Sequence, residues 1–290
     1  MVTRQKILVT GANGQLGKSF RDLAAVFPQY EFIFLSKEDL PIHQFELLRH
    51  YFSVYHPQWL INCAAYTAVD RAESEKDLAM LVNGESVGVM AAVTKANHCG
   101  FIHISTDYVF DGNSSAPYKV DHPVAPQNEY GRTKLEGEKQ ALQFNPEAII
   151  IRSSWIYSEH GHNFVKTMMR LMNEKESLNV VSDQVGSPTY ARDLAEAILQ
   201  IIISGISPPR PSIYHFSNRG IISWYDFAVA IKELTGSPCN IGPIPTAQYP
   251  TPAKRPAYSA MDTQKITEEF GVKMKDWKQS LKDCLGRMKI

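Results

Sequence analysis

Charge of one sign is what this sequence lacks first. Lys plus Arg and Asp plus Glu each total 30, so the formal net charge is zero, and there is no electrostatic footprint for nucleic acid or an anionic membrane surface. A small-molecule partner is expected instead. Cysteine is scarce: Cys63, Cys99, Cys239 and Cys284 are the only 4, and they show no metal-ligand spacing, so no metal is expected. With no charged-then-apolar leader before the first strand candidate, the expected setting is cytoplasmic and reduced. No apolar run approaches the roughly 18 residues of a membrane span. The longest candidate, Ala197 to Gly205, is too short and carries Gln200. Repeats and low-complexity tracts are missing too, and the Pro-rich stretches from Ile206 to Ser212 and from Pro243 to Pro256 read as surface loops.

What is present is an alternation. Lys6 to Thr10, Glu31 to Leu35, Trp59 to Asn62, Phe101 to Ser105 and Ala148 to Arg152 are short β-branched or aromatic runs, each followed by a crossover-length segment. After the first of these, Leu16, Phe20, Leu23, Ala24 and Phe27 lie on one face of a helix. Near-continuous apolar strands such as Ile7-Leu8-Val9 are buried on both faces, which predicts an α/β fold with a doubly wound parallel sheet of the Rossmann type. Beyond Arg152 the alternation loosens into helices over His162 to Lys175, Ala191 to Ser204, Ser223 to Thr235 and Lys278 to Arg287, with brief strands near Leu178 and Ile213. The expected division is a dinucleotide-binding domain over 1–152 and a smaller C-terminal α/β substrate-binding lobe over 153–290, with room for the chain to cross back to the sheet. Ligands of open parallel sheets sit beyond the carboxyl ends of the strands, so the cleft belongs between the two.

Thr10-Gly11-Ala12-Asn13-Gly14-Gln15-Leu16-Gly17 directly follows the first strand and opens the first helix. Gly11 suits the tight turn, Gly14 removes a Cβ where the backbone meets a pyrophosphate, and Gly17 is expected to let the helix pack on the sheet, with the helix amides facing the phosphates. The spacing is G-x-x-G-x-x-G. At the end of the second strand, where an acid would take a ribose 2′-hydroxyl, the chain has Ser36-Lys37, a donor and a cation that suit a 2′-phosphate; Glu38 and Asp39 follow. Small residues in Asn62-Cys63-Ala64-Ala65-Tyr66 close the third strand where a cofactor ring would pass near backbone. NADPH is the expected cofactor, with NADH possible.

Tyr130 and Lys134 are four residues apart and share a helix face. They open the helix after the fourth strand, whose carboxyl end carries Ser105-Thr106-Asp107. Hydride delivery to a ketone leaves an alkoxide that must be protonated. A phenol can donate that proton, a neighbouring cation is expected to lower its pKa toward neutrality, and Thr106 can hydrogen-bond the carbonyl oxygen as charge develops.

These motifs resemble the extended short-chain dehydrogenase/reductase family over nearly the whole chain. The resemblance rests on Gly11 to Gly17, Asn62 to Glu73, Ser105 to Gly112, Tyr130 to Glu138, Arg152 to Tyr157 and Asp183 to Thr189. It implies that Thr106, Tyr130 and Lys134 are catalytic and that Asp107 and Trp155 touch a deoxysugar beside Thr106. It also implies that Gly14, Gln15, Leu16, Ala65, Tyr66 and Thr67 line the cofactor. The implied reaction is NADPH-driven reduction of the C4 ketone of dTDP-4-dehydro-L-rhamnose. Three positions depart from the family pattern. Pro41 replaces an acid, leaving Ile42 to pack on adenine; Ser19 and Arg192 stand where metal-dependent dimers carry glutamates, so no magnesium-bridged dimer is expected and the oligomeric state stays open; Tyr258 replaces an asparagine after Arg255-Pro256. Two other readings share these residues. A same-fold epimerase or dehydratase would recycle a held NAD, and a non-catalytic protein like the regulatory subunit of methionine adenosyltransferase would use the fold for binding.

Overall fold

In the computed structural model, which describes residues 4–288, the five apolar runs are parallel strands: β1 (Gln5–Thr10), β2 (Tyr30–Leu35), β3 (Trp59–Asn62), β4 (Gly100–Thr106) and β5 (Ile149–Ser153). A sixth strand, Ser212–Phe216, pairs with β5, so the sheet runs Ser212–Phe216, β5, β4, β3, β1, β2. The strand expected near Ile213 therefore belongs to the main sheet: the chain leaves after β5, builds the lobe, and returns. The reversal of strand order between β1 and β3 places a crevice at the carboxyl ends of these strands.

Alternate strand residues go to opposite helix layers. Ile7, Val9, Ile61, Ile102 and Ile149 face helix α1 (Gln15–Ala24) and the helix Ala191–Ser204, and all are buried. Leu8, Leu60, Phe101 and Ile150 face the other way, toward Phe52, Met90 and Ala141 of the helices Phe45–Tyr55, Ser86–Ala96 and Glu129–Phe144. Each such aliphatic contributes about 1.5–3 kcal/mol on burial, so the register of the sheet is fixed from both sides.

The lobe has its own core, with Tyr157, Val165, Met168, Tyr190, Phe227, Leu281 and Cys284 buried together. Three two-stranded sheets brace it. In one of them Asn240–Ile244 runs parallel to Ser177–Val181, so Pro243 and Ile244 lie in a strand, not in the loop read from the prolines. Pro243 is tolerated because this is an edge, where a missing N–H costs no ladder bond. All four cysteines are free thiols. No helix among the described residues is long and apolar enough to cross a membrane.

Candidate active site

The glycine turn lies where the crevice opens. Gly11 has φ of +64°, and a Cβ there would sit 2.7 Å from the Ala64 nitrogen, so only glycine fits. Gly14 caps α1 without any side-chain hydrogen bond, which leaves the first-turn amides without a capping side chain. A Cβ on Gly17 would meet the Gly11 carbonyl oxygen at 2.5 Å and Ala12 Cα at 2.6 Å. Gly17 thus lets the helix close onto its own loop, where packing on the sheet was expected. Leu16 points its side chain into the core and offers the site only its backbone. Gln15 reaches across to the lobe: Nε2 donates to the Ile156 carbonyl at 3.2 Å, and Oε1 accepts from Ser158 Oγ at 3.0 Å and Asn163 Nδ2 at 2.9 Å.

Past β2, Ser36 and Asp39 cap one another. Ser36 N–H donates to Asp39 Oδ2 at 2.9 Å, Asp39 N–H donates to Ser36 Oγ at 3.3 Å, and these bonds hold the Asp39 carboxyl below its ordinary pKa. Asp39 is thereby turned into its own loop, while Lys37 is exposed. Ile42 is buried in the core cluster with Leu40 and Leu48, so its adenine-facing surface is small. Ala64 and Ala65 are half-buried and Thr67 exposed along the wall after β3. Asn83, which no sequence pattern singles out, holds that wall. Its Oδ1 accepts from Tyr66 N–H at 2.8 Å, and its Nδ2 donates to the Tyr66 carbonyl and to Thr133 Oγ1, both at 3.1 Å. It sits in a single π-helical turn, Leu81–Glu85, a distortion common at functional sites.

Thr106 ends β4, and its hydroxyl donates to Asp107 Oδ1 at 2.9 Å while accepting from Tyr108 N–H at 3.2 Å. Asn128 caps the helix that carries Tyr130 and Lys134, accepting from Gly131 N–H at 2.8 Å. Gly131 is required: a Cβ there would lie 2.2 Å from the Tyr108 carbonyl oxygen, so only glycine lets the helix start seat Tyr130 beside Thr106. Tyr130 also meets Tyr108 edge-on at 5.5 Å. Burial pushes the phenol up to about 12, the Asp107 charge adds to the rise, and the Thr106 hydroxyl opposes it. Burial pushes Asp107 itself up to about 6, and its Oδ2 is buried without a partner. Lys134 is buried, donates to the Ile104 carbonyl at 2.7 Å and lies 3.3 Å from His103 Nε2. Lys134 is not among the groups that shift the phenol, so the expected lowering by Lys134 is not found; its nitrogen donates to the β4 carbonyl. Tyr130 is a phenol held protonated through neutral pH.

From the lobe comes Trp155, two residues past β5. Its φ of +49° is a strained conformation for a bulky side chain. Its indole stacks on Trp224 with centroids 3.5 Å apart, and lies over Gly186, where a Cβ would come within 2.9 Å of it. Ser259 packs against the same glycine and is buried with no hydrogen-bond partner for its hydroxyl. Arg255 holds this lobe segment to the third-strand wall through a bidentate pair with Asp70, at 2.9 and 2.8 Å. Tyr258 is half-buried, with its N–H donating to the Gly112 carbonyl at 3.0 Å.

A phosphate-cradling turn, a dinucleotide crevice and a Thr-Tyr-Lys set at one strand end define an NAD(P)-dependent oxidoreductase of the short-chain dehydrogenase/reductase type. More narrowly, the chain belongs to the family described as the RmlD substrate binding domain, whose model matches residues 5–290. It is 42% identical over 288 residues to a dTDP-4-dehydrorhamnose reductase of Aggregatibacter actinomycetemcomitans, covering 96% of this chain and 97% of that one. A crystal structure of a dTDP-4-dehydrorhamnose reductase from Clostridium acetobutylicum superposes with a TM-score of 0.94 at 40% identity, over 99% of this chain and 100% of that one. A dTDP-4-dehydrorhamnose reductase from Bacillus anthracis, solved in complex with NADP, gives 0.93 at 35% identity over 98% and 99% of the two chains.

Proposed function

We propose that this enzyme reduces the C4 ketone of dTDP-4-dehydro-L-rhamnose to dTDP-L-rhamnose with NADPH, the last step in making that nucleotide sugar. The observation that carries the reading is Tyr130 beside Thr106 at the carboxyl end of β4, in a chain that matches reductases of this name over almost its full length. The uncapped start of α1 and the glycine turn pressed against Ala64 fit a pyrophosphate and its nucleosides. When bound, the reduced nicotinamide supplies the hydride. Thr106 donates to the substrate carbonyl, Tyr130 gives its proton to the oxygen as charge develops there, and the buried Asp107 carboxylate accepts from a sugar hydroxyl. A coupled assay with dTDP-4-dehydro-L-rhamnose and each reduced cofactor tests this: loss of nicotinamide absorbance with dTDP-L-rhamnose as product is expected, and no turnover with either cofactor would overturn it.

Ser36 is buried, with its hydroxyl oxygen accepting from Asp39 N–H inside the loop, so discrimination for the 2′-phosphate falls mainly to the exposed Lys37. A charge-assisted bond is worth about 1.5–3 kcal/mol when well formed and less when exposed. Lys37→Ala is expected to raise KM for NADPH several-fold while leaving NADH unchanged. An equal loss for both would show that the lysine points elsewhere.

Trp155 is held in a strained conformation against Trp224, which preorganises an indole face and N–H for the apolar side of a 6-deoxysugar. Trp155→Ala is expected to raise KM for the nucleotide sugar or lower turnover by about tenfold, or ~1.4 kcal/mol, with cofactor affinity intact. A large fall in melting temperature with unchanged steady-state constants would make Trp155 a seam residue only.

A further inference from the structure

Thr10, Asn62 and His103 lie side by side across β1, β3 and β4, and the row ends at Lys134. Its hydrogen bonds decide where each hydrogen sits. Ala64 N–H donates to Asn62 Oδ1 at 3.2 Å, and Thr10 Oγ1 donates to the same oxygen at 2.6 Å. A backbone N–H cannot accept, so the amide oxygen stays on that side and Asn62 Nδ2 points at His103 Nδ1, 3.0 Å away. The amide nitrogen only donates, so Nδ1 is the acceptor. His103 is fully buried, which together with the neighbouring Lys134 holds its pKa well below the ordinary value. The ring is therefore neutral, and its one hydrogen is on Nε2, facing Lys134 Nζ at 3.3 Å. An ammonium has no lone pair, so in that state two donors face one another. An amine accepts the His103 N–H while still donating to the Ile104 carbonyl at 2.7 Å.

We infer that His103 is a positioning residue for Lys134: fixed by Asn62, it presents an N–H where a lone pair would favour the ammonium, and so makes Lys134 an acid that releases its proton inside the site. The use of that proton rests on the reductase reading; the hydrogen positions do not. Once Tyr130 has given its proton to the sugar oxygen, a tyrosinate remains one helical turn from Lys134. One Nζ–H bond breaks, the proton forms the new phenol O–H bond, and the electron pair stays on Nζ and accepts the His103 N–H. Solvent returns the proton after product leaves. Few other charges act on Lys134. Glu138, one turn further on, favours the ammonium but is paired with Arg152 of β5. On the segment packed over the helix, Asp70 is paired with Arg255, Lys76 faces Glu129, and Glu85 is exposed. On β4, Asp107 lies toward Tyr130.

Two measurements on the free protein test this without substrate. Long-range proton–nitrogen spectra of the imidazoles are expected to show His103 protonated on Nε2 only; hydrogen on Nδ1 would overturn the inference. In protein labelled at the lysine 13Cε, the resonance missing from Lys134→Arg identifies Lys134, expected to titrate near its burial-lowered value of about 8. His103→Phe keeps a ring in the cavity and is expected to move that titration upward by about one pH unit, tenfold in the proton equilibrium. Were His103 instead accepting from an ammonium, its loss would move the titration downward, and a downward or absent shift overturns the proposal. If His103→Phe does not fold, the wild-type tautomer decides alone. Failure of the coupled sugar-nucleotide assay with the expected tautomer and shift would count against the reductase reading and leave the His103–Lys134 relation standing.

Discussion

Tyr130→Phe is expected to lower turnover by about a hundredfold or more while the protein stays folded and binds cofactor as before. The phenol stands beside the Thr106 hydroxyl and carries its proton through neutral pH. Burial and the Asp107 charge hold it near 12, and Asp107, pushed up to about 6, is itself ionised at pH 7.5. Phenylalanine keeps the edge-on contact with Tyr108 and removes one oxygen, so melting temperature is expected to change little. Because Asp107 raises the phenol, Asp107→Asn is expected to lower the Tyr130 pKa, the opposite of a loss of hydrogen bonding at a carboxylate-stabilised site. The measurement is kcat and melting temperature for the purified variant. Retention of more than half of wild-type turnover in a folded protein would remove Tyr130 from its role.

Five strands were legible because each is a short apolar or aromatic run, buried on both faces in the central strands and part-exposed in the edge strand β2, and their ends fall within a residue or two of expectation. The glycine turn and the Tyr130–Lys134 pair were legible because both are local in sequence, and helix geometry alone brings their members together. Ser212–Phe216 was read with the lobe, with room left for a return to the sheet, because it lies among the lobe helices in sequence; only its pairing with β5 assigns it to the main sheet. What sequence spacing could not show is register. Asn62 and His103 are 41 residues apart and His103 and Lys134 are 31 apart; only strand pairing makes them neighbours. The stack of Trp155 on Trp224 is equally hidden, since it joins two segments of the lobe. The role given to Lys134 changed for the same reason: its spacing from Tyr130 was visible, but the β4 carbonyl that takes its hydrogen bond was not.

The helix bearing Tyr130 and Lys134 carries Glu138 at the next position on the same face, and Glu138 anchors the helix to the sheet. Its carboxylate takes Arg152 Nε at 2.9 Å and Nη2 at 2.7 Å, with the Ser105 hydroxyl on the same oxygen as Nε. Both side chains are 3% exposed. Arg152 also donates to the Val120 carbonyl at 3.3 Å and lies over the Phe110 ring, 5.1 Å from its centroid. The pair therefore joins the helix of Tyr130 and Lys134, β4, β5 and the segment after β4. Desolvating two charges costs nearly what their attraction returns, so the intact pair contributes little net stability; removing one partner leaves the other charged and buried. Glu138→Ala is thus expected to cost about 3–5 kcal/mol and to lower the melting temperature by on the order of 10 °C. A double variant, Glu138→Leu with Arg152→Met, removes both charges and fills the volume, and is expected to recover most of that loss. Thermal unfolding of the two proteins decides between this account and simple packing. If the double variant is less stable than Glu138→Ala, the arginine is needed for the contacts it makes with Val120 and Phe110, and the stranded charge is not the source of the damage.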